Sequence, residues 1–397
     1  MKILVLNCGS SSIKFQLINM EDEKVLIKGV YERIGYEDAF CTYKNGEIKE
    51  KIVLNTPNHV AGIKAILEEI VKEKYGAVKD ISEIDAVGHR VVHGGEKYSE
   101  SILIDEDVIA GIEENKELAP LHNGANLDGI NAISELLPEI PQVAVFDTAF
   151  HQTMDEVQYI YNIPYEYYEK DKIRKYGFHG TSHRYITDRI HEIKNLKKGD
   201  DLKLITCHLG QGASIAAIKN GKSIDTTMGF TPLAGLPMGT RSGDIDPSVV
   251  TYLGKKYNMS FEELDNMLNK KSGVLGVSGV HSDFRDVEEA AANGNKRAEL
   301  ALESNAYNTA RFILGYIGLL DGVDVIAFAG GLGENGPETR EKICKYLNCF
   351  GIKLDEEKNN VRGKETVIST DDSKAEVWII PTNEEIMIAR DTLNLIK

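Results

Sequence analysis

Apolar runs and helical patterns alternate along the whole chain. Residues 3–18 combine an apolar strand, a short polar turn and a second strand in which apolar and polar side chains alternate. Residues 63–71 and 302–317 carry apolar side chains at the three- and four-residue spacing of a helix face. Strands that alternate with helices predict an α/β protein.

Two patterns from the first half of the chain recur in the same order in the second half. Residues 3–18 and 204–218 each place two strands around a polar turn that contains glycine. Residues 85–95 and 324–331 each end an apolar strand in a Gly-Gly pair. We therefore predict a duplicated domain with a cleft between the halves, with chance similarity of short strand–glycine units as the alternative.

Length, charge and cysteine content narrow the class of protein. The 397 residues suffice for two domains, and a predicted strand at residues 143–146 suggests a boundary near residue 150. The net charge of −16 argues against nucleic acid or an anionic membrane as a partner. We expect no membrane span and no signal or transit segment. Five cysteines without CxxC spacing favour free thiols in a reducing cytoplasm.

Because this net charge repels anions, basic side chains in apolar or glycine-rich surroundings are the candidate anion-binding groups. Arg90 lies in a predicted apolar strand, where it needs an anion or a carboxylate; an internal salt bridge is the alternative. Arg241 has small neighbours that leave room for a bidentate contact with phosphate or carboxylate. Glycines close to His179 on both sides suggest tight approach of a ligand, although a lone histidine is more often structural.

Two acidic residues follow predicted strands. Asp147 comes directly after the strand at residues 143–146, and ligands of open α/β sheets gather at such strand ends; capping a helix or turn is the alternative. Thr382 and Glu385 have the spacing of a capping box, which predicts a helix start and explains Glu385. Glu384 is then left for another role, although a glutamate in a first helical turn is also favoured by the helix dipole.

Three glycine- or serine-containing segments are candidate phosphate-binding loops. Residues 7–14 offer an amide, hydroxyls and Lys14, with an ordinary hairpin as the alternative. Residues 208–212 read His-Leu-Gly-Gln-Gly between two strands. Residues 331–336 match GxGxxG, so an NAD-dependent dehydrogenase is a rival prediction, although the motif lies late in the chain. Neither a P-loop nor a protein-kinase catalytic loop is present.

Taken together, these segments resemble the acetate kinase family over the whole chain. The matching segments are residues 7–14, 88–97, 119–129, 145–153, 176–183, 225–247, 272–286, 330–335 and 381–391. The resemblance implies the sugar kinase, Hsp70 and actin superfamily, with two duplicated ribonuclease-H-like domains and nucleotide in the interdomain cleft. The N-terminal domain would cover residues 1–150, completed by a C-terminal helix at about 383–397, and the nucleotide-binding domain residues 151–382.

The resemblance also implies an activity and its participants. Members of this family are cytoplasmic homodimers that transfer phosphate reversibly between ATP and acetate, giving acetyl phosphate and ADP. Transfer is direct and in line and depends on Mg²⁺, for which Mn²⁺ is an accepted substitute. Acetate, acetyl phosphate, ATP and ADP are therefore the expected small-molecule partners.

Site roles carried over by the resemblance fall into four groups. The metal-associated pair would be Asn7 and Glu384, the acetate-binding residue Arg90, and the catalytic residues Asp147, His179 and Arg241. The nucleotide contacts would be Lys14, His208, Leu209, Gly210, Gln211, Gly212, Asp283, Phe284, Arg285, Gly331, Leu332, Gly333, Glu334 and Asn335. Asp147 corresponds to the family's acid/base residue, but acetate is already ionised at neutral pH and has no proton to lose. Orienting a metal-bound water or an arginine is the more plausible role for Asp147.

One departure from the family pattern and several alternatives stay open. Gln211 stands where the family usually has Asn, and its extra methylene moves the amide, which puts the phosphoryl donor in question. A kinase for propionate or another short acid is the nearest alternative, with Val91, Leu121 and Pro232 as candidate pocket walls. A non-catalytic nucleotide switch of the actin or Hsp70 type is a further alternative from another class.

Overall fold

The computed structural model describes residues 1–397 except 47, 55, 120 and 121. The chain forms two compact units, Met1–Gln152 with Asn383–Lys397, and Thr153–Thr382. Among the described helices, none is both long enough and apolar enough to cross a membrane. Leu121, one of the candidate pocket walls, lies outside the described residues.

An α/β arrangement forms the first unit. Its strands are β1 (Lys2–Gly9), β2 (Ser12–Asn19), β3 (Lys24–Glu32), β4 (Phe40–Asn45), β5 (Ile48–Val53), β6 (Ala86–Val91), β7 (Ile102–Leu103) and β8 (Gln142–Phe146). Its helices are α1 (His59–Ile70), α2 (Glu106–Glu114), α3 (Asn123–Leu136) and the last helix of the chain, Glu384–Ile396. The two apolar clusters lie on one face of the sheet, one under α1 and α3 and the other among α2, α3 and β8, while the last helix packs on the opposite face at Gly88.

A second α/β arrangement forms the other unit. Its strands are β9 (Lys203–Leu209), β10 (Ala213–Lys219), β11 (Lys222–Thr226), β12 (Val325–Ala329), β13 (Thr366–Val367) and β14 (Glu376–Ile379). Its helices are α4 (Glu156–Tyr159), α5 (Glu166–Asp171), α6 (Gly180–Ile193), α7 (Pro247–Tyr257), α8 (Phe261–Lys270), α9 (Gly273–Ser278), α10 (Phe284–Ala292), α11 (Lys296–Leu319), α12 (Gly330–Asn335), α13 (Pro337–Lys345) and α14 (Glu356–Asn359). The final helix, which belongs to the first unit, is α15.

Strand order confirms the predicted duplication. The first sheet contains the run β3-β2-β1-β6-β8 and the second contains β11-β10-β9-β12-β14. In each run, neighbouring strands among the first three are antiparallel, and the last two strands are parallel to the central strand. Two sheets that repeat this order and direction cannot be explained by short strand–glycine units alone, so the chance alternative is wrong.

A glycine allows the last helix to lie directly on the first sheet. A β-carbon on Gly88 of β6 would lie 2.5 Å from Oγ1 of Thr392 and 2.6 Å from Cγ2 of Ile388, both on α15. These distances are shorter than any van der Waals contact, so only glycine fits. The close approach places the first turn of α15, which carries Glu384, beside the end of β6.

The predicted cap of this last helix is wrong. Asn383, not Thr382, occupies the N-cap position, and its side chain accepts a hydrogen bond from the Ile386 backbone N–H at 3.2 Å. Thr382 is bound instead by Ser182 and Glu334. Thr382 and Asn383 are both residue types that can cap a helix. Because Thr382 is hydrogen-bonded to other segments, Asn383 occupies the cap position.

The GxGxxG segment also differs from a dinucleotide fingerprint. Residues Gly330–Asn335 form a short helix of their own directly after β12, and a separate helix starts at Pro337. In the fingerprint the glycines open one continuous helix that carries the pyrophosphate at its N-terminus. Asp355, the acidic residue beyond the motif, caps the short helix α14.

Candidate active site

Arg90 and Asp147 contact each other at the carboxyl ends of the neighbouring strands β6 and β8. Arg90 lies near the end of β6, and Asp147 directly follows the neighbouring parallel strand β8. The Nε atom of Arg90 donates to Oδ1 of Asp147 at 3.2 Å, and its Nη2 donates to Oδ2. Asp147 is 1% exposed. The salt bridge proposed as an alternative for Arg90 is therefore present, and it is bidentate.

Arg90 also contacts Asn7 and keeps further hydrogen-bond donors. Its Nη1 donates to Oδ1 of Asn7 at 3.2 Å, so three of the five guanidinium N–H groups have partners among the described residues. The other two N–H groups have no hydrogen-bond partner among the described residues. Burial disfavours the charged guanidinium, but the carboxylates of Asp147 and Glu384 outweigh it and raise the pKa of Arg90.

Glu384 adds negative charge beside this pair. Its Oε2 lies 3.9 Å from Nε of Arg90. The pKa of the Glu384 carboxyl is raised to about 7, mainly by burial; Asp147 and Glu385 contribute to the rise, while Arg90 and Lys14 oppose it. A crowded carboxyl of this kind gains stability from an added cation. Glu384 and Asn7 offer oxygen ligands, the type that Mg²⁺ prefers.

Strand register places Asn7 and Lys14 together. The two residues lie directly opposite each other on β1 and β2, so their side chains share one face of the sheet. The turn between the strands contains only Ser10 and Ser11. The segment is therefore a tight hairpin, and its candidate functional side chains lie in the strands rather than in a loop around phosphate.

Two asparagines that sequence reasoning missed fix the strand ends behind these residues. Asn126 of α3 accepts from the Val92 N–H at 3.0 Å and donates to the Cys8 carbonyl at 2.8 Å. Asn123 accepts from the His93 N–H at 3.1 Å and donates to the His93 carbonyl at 3.0 Å. Both are buried. Their i, i+3 spacing within residues 119–129 is the signal that could have identified them.

In the second unit, His179, Gly212 and Arg241 converge. A β-carbon on Gly212 would lie 3.0 Å from Nε2 of His179 and 3.5 Å from Nη1 of Arg241. His179 precedes α6 in the left-handed conformation with φ of 57°, which costs a non-glycine residue about 1–2 kcal/mol. Its ring stacks on that of His208, with centroids 4.4 Å apart. The three segments thus bring basic side chains to one glycine-rich turn.

Arg241 is a partly buried cation that has no carboxylate partner among the described residues. Its Nη1 donates to the Pro232 carbonyl at 3.2 Å and lies 3.7 Å from Sδ of Met238. Burial lowers the pKa of Arg241, and none of the described carboxylates offsets that shift. Since a buried guanidinium is costly without an anion, this position favours binding of an anionic ligand.

The other predicted nucleotide residues form two adjoining turns, one ion pair and two inward-pointing side chains. The turns at residues 208–212 and 330–331 adjoin, since a β-carbon on Gly330 would lie 2.6 Å from the Leu209 carbonyl oxygen. Asp283 and Arg285 pair with each other at 2.6 Å, and that pair lowers the pKa of Asp283 to about 2. Two side chains point inward instead: Phe284 is buried in an apolar cluster, and Glu334 accepts backbone N–H bonds from Gly330 and Thr382.

The side chain of Gln211, one methylene longer than the asparagine usual in the family, contacts the segment around Ser282. Its Nε2 donates to the Ser282 carbonyl at 3.3 Å, and its Oε1 lies against Gly239, two residues before Arg241. The amide thus contacts the segment that precedes Asp283. The side chain is exposed and does not fill the turn at residues 208–212.

Comparisons with known proteins identify the family of this chain. The model of the Acetokinase family matches residues 2–390. The acetate kinases of Thermoanaerobacterium thermosaccharolyticum and Thermotoga maritima are 59% and 56% identical to this chain, each over 100% of this chain and 99% of the relative. This chain belongs to the Acetokinase family.

Solved structures show the same relationship. The crystal structure of Porphyromonas gingivalis acetate kinase has a TM-score of 0.96, with 49% identity and full coverage of both chains. The structure of a propionate kinase from Francisella tularensis has a TM-score of 0.93, with 43% identity and 99% coverage of both chains. Family membership excludes the dehydrogenase prediction and confirms the kinase class.

Proposed function

We propose that this chain is an acetate kinase that transfers the γ-phosphoryl group of ATP to acetate. In the reverse direction it transfers the phosphoryl group of acetyl phosphate to ADP. The observation that carries this function is the match to acetate kinases at 55–59% identity over the whole chain. The arrangement of Arg90 supports it, because its bonds to Asp147 and Asn7 leave two guanidinium N–H groups for a carboxylate.

The proposed step needs no proton transfer. A carboxylate oxygen of acetate attacks the γ-phosphorus, the new C–O–P linkage forms, and the bond from phosphorus to the β,γ-bridging oxygen breaks to release ADP. Acetate is ionised at neutral pH, so Asp147 acts by holding Arg90 rather than as a base. Direct in-line transfer of this kind depends on positioning and on neutralising charge.

We propose the following division of the work. In the first unit, Arg90 binds the acetate carboxylate, and Asn7 and Glu384 hold Mg²⁺, with Mn²⁺ as a substitute. When bound, the metal neutralises phosphate charge. In the second unit, Arg241 and His179 stabilise charge on the transferring phosphoryl group.

Further proposals concern nucleotide binding and organisation. The nucleotide residues are Lys14 of the first unit and, from the second, 208–212, 283–285 and 331–335. The two units correspond to N-terminal and nucleotide-binding domains, both ribonuclease-H-like. Family resemblance supports a homodimer and a cytoplasmic location, which stay predictions.

The choice of acceptor and donor is tested by steady-state kinetics. We expect kcat/KM with MgATP to fall by roughly ten-fold or more for each methylene added from acetate to propionate to butyrate, because one methylene changes transition-state binding by about that factor. We also expect pyrophosphate to fail as donor, since Gln211 does not fill the phosphate turn. Equal or better use of propionate would instead support a kinase for propionate or another short acid. Turnover with pyrophosphate would instead support a changed phosphoryl-donor site.

A further inference from the structure

We propose that Ser182 is a positioning residue which, with Thr382, holds His208 as the neutral tautomer that presents an Nε2–H donor to a phosphoryl oxygen of the nucleotide. The inference rests on the proposed function for the identity of that ligand. It assigns a role to Ser182, which had none from the sequence pattern or the family resemblance, and a second role to Thr382, which the pattern had treated only as a helix cap.

The geometry is a chain of short hydrogen bonds. Oγ of Ser182, which is fully buried on α6, lies 2.7 Å from Nδ1 of His208 and 2.7 Å from Oγ1 of Thr382. The Thr382 N–H donates at 3.0 Å to Oε1 of Glu334, and the same oxygen accepts from the Gly330 N–H at 2.9 Å. The chain therefore links the GxGxxG segment to the histidine of the phosphate turn.

Counting protons shows why the direction of this chain matters. A serine hydroxyl has one proton, so Ser182 donates either to His208 or to Thr382, not to both. If Thr382 donates to Ser182 and Ser182 to Nδ1, a neutral His208 must carry its proton on Nε2. The reverse direction in a neutral ring leaves a lone pair on Nε2, which repels a phosphate oxygen. Only the first direction suits a neutral ring in a phosphate site.

The stacked partner favours a neutral ring at His208. His179 and His208 are nearly parallel, with an interplanar angle of 16° and centroids 4.4 Å apart. Two imidazolium rings in that arrangement would repel each other. A neutral His208 therefore leaves His179 able to carry positive charge toward the phosphoryl group.

A second serine in the same unit provides an internal comparison. Ser214, also fully buried, bridges Nε2 of His183 and Oγ1 of Thr226, each at 3.1 Å. Nδ1 of His183 binds Oγ1 of Thr206 at 2.6 Å, so both nitrogens of that ring are held inside the core. Ser182 contacts its histidine at Nδ1. Ser214 is the cross-strand partner of His208, but its bridge runs to His183 and Thr226, so Ser214→Ala is a matched control that removes a buried Ser–His–Thr bridge next to His208.

The test is ¹⁵N NMR of the full-length chain labelled at histidine, with the His208 signals assigned from a His208→Gln variant. We expect a protonated Nε2 and a bare Nδ1 in the wild-type protein, and a mixed tautomer in Ser182→Ala and in Thr382→Val. A wild-type His208 that carries its proton on Nδ1 overturns the inference without any substitution. A tautomer unchanged in both variants also overturns it.

Kinetics provide the second readout. Ser182→Ala is expected to raise KM for MgATP by roughly ten-fold, as for loss of one oriented hydrogen bond to a charged group, and to leave KM for acetate within about two-fold. Ser214→Ala should change neither; an equal rise in that control would show a structural effect and contradict the inference. If the wild-type protein forms no acetyl phosphate, the proposed function fails, while the tautomer still tests the hydroxyl chain.

Discussion

Replacing Asp147 by asparagine is expected to lower kcat/KM for acetate by roughly 10²–10³-fold, about 3–4 kcal/mol, because the buried Arg90 guanidinium loses its paired charge. The amide cannot accept both Arg90 donors, so the guanidinium loses the orientation that its two hydrogen bonds impose. Because Arg90 is proposed to bind acetate, KM for acetate should rise. Steady-state kinetics at saturating MgATP measure both effects.

A double-mutant cycle separates this role from that of a base. If Asp147 acts through Arg90, adding Asp147→Asn to Arg90→Ala should cost little more than Arg90→Ala alone. Asp105→Asn, at the cap of α2 in the same unit, is the matched control and should retain activity, since asparagine also caps helices well. Additive losses, or a fall in kcat with KM for acetate unchanged, would contradict the positioning role.

Replacing Arg241 by alanine is expected to lower kcat by about 10³–10⁵-fold, the range found when an arginine that stabilises phosphoryl transfer is lost. Arg241 has no carboxylate partner among the described residues, so its charge is available to the transferring group. Arg241→Lys should recover only part of this loss, because lysine keeps the charge but lacks the planar pair of donors.

The control for this prediction is another arginine of the same unit. Arg189 pairs with Glu365 and Glu192, and Arg189→Ala should leave kcat within about three-fold, as expected for a surface ion pair. Thermal unfolding should show that both alanine variants are folded. An Arg241→Ala enzyme with more than a tenth of the wild-type kcat would show that this guanidinium does not stabilise the transition state.

The duplicated α/β fold could be predicted because its signals are local. Alternating strands, helix faces and Gly-Gly strand ends are each set by a few consecutive residues. The order of those signals then predicted the repeat that the two sheets display.

The pairings inside the site could not be predicted in the same way. Asp147 and Arg90 are 57 residues apart in the sequence, and Gln211 and Ser282 are 71 residues apart. Only the tertiary fold brings the members of each pair together. The prediction that Thr382 caps the last helix failed for the same reason, because its hydroxyl is hydrogen-bonded to Ser182, which is 200 residues away in the sequence. The sequence identified residue types suited to anions, and tertiary structure decided their partners.

The most direct test of the proposed activity is ³¹P NMR of the purified protein with ATP, acetate and Mg²⁺, repeated with each component omitted. Acetyl phosphate and ADP should appear in equal amounts only in the complete mixture, and adding acetyl phosphate to ADP should regenerate ATP. ADP and inorganic phosphate released at the same rate without acetate, with no acetyl phosphate in the complete mixture, would contradict the assignment and favour a nucleotide switch.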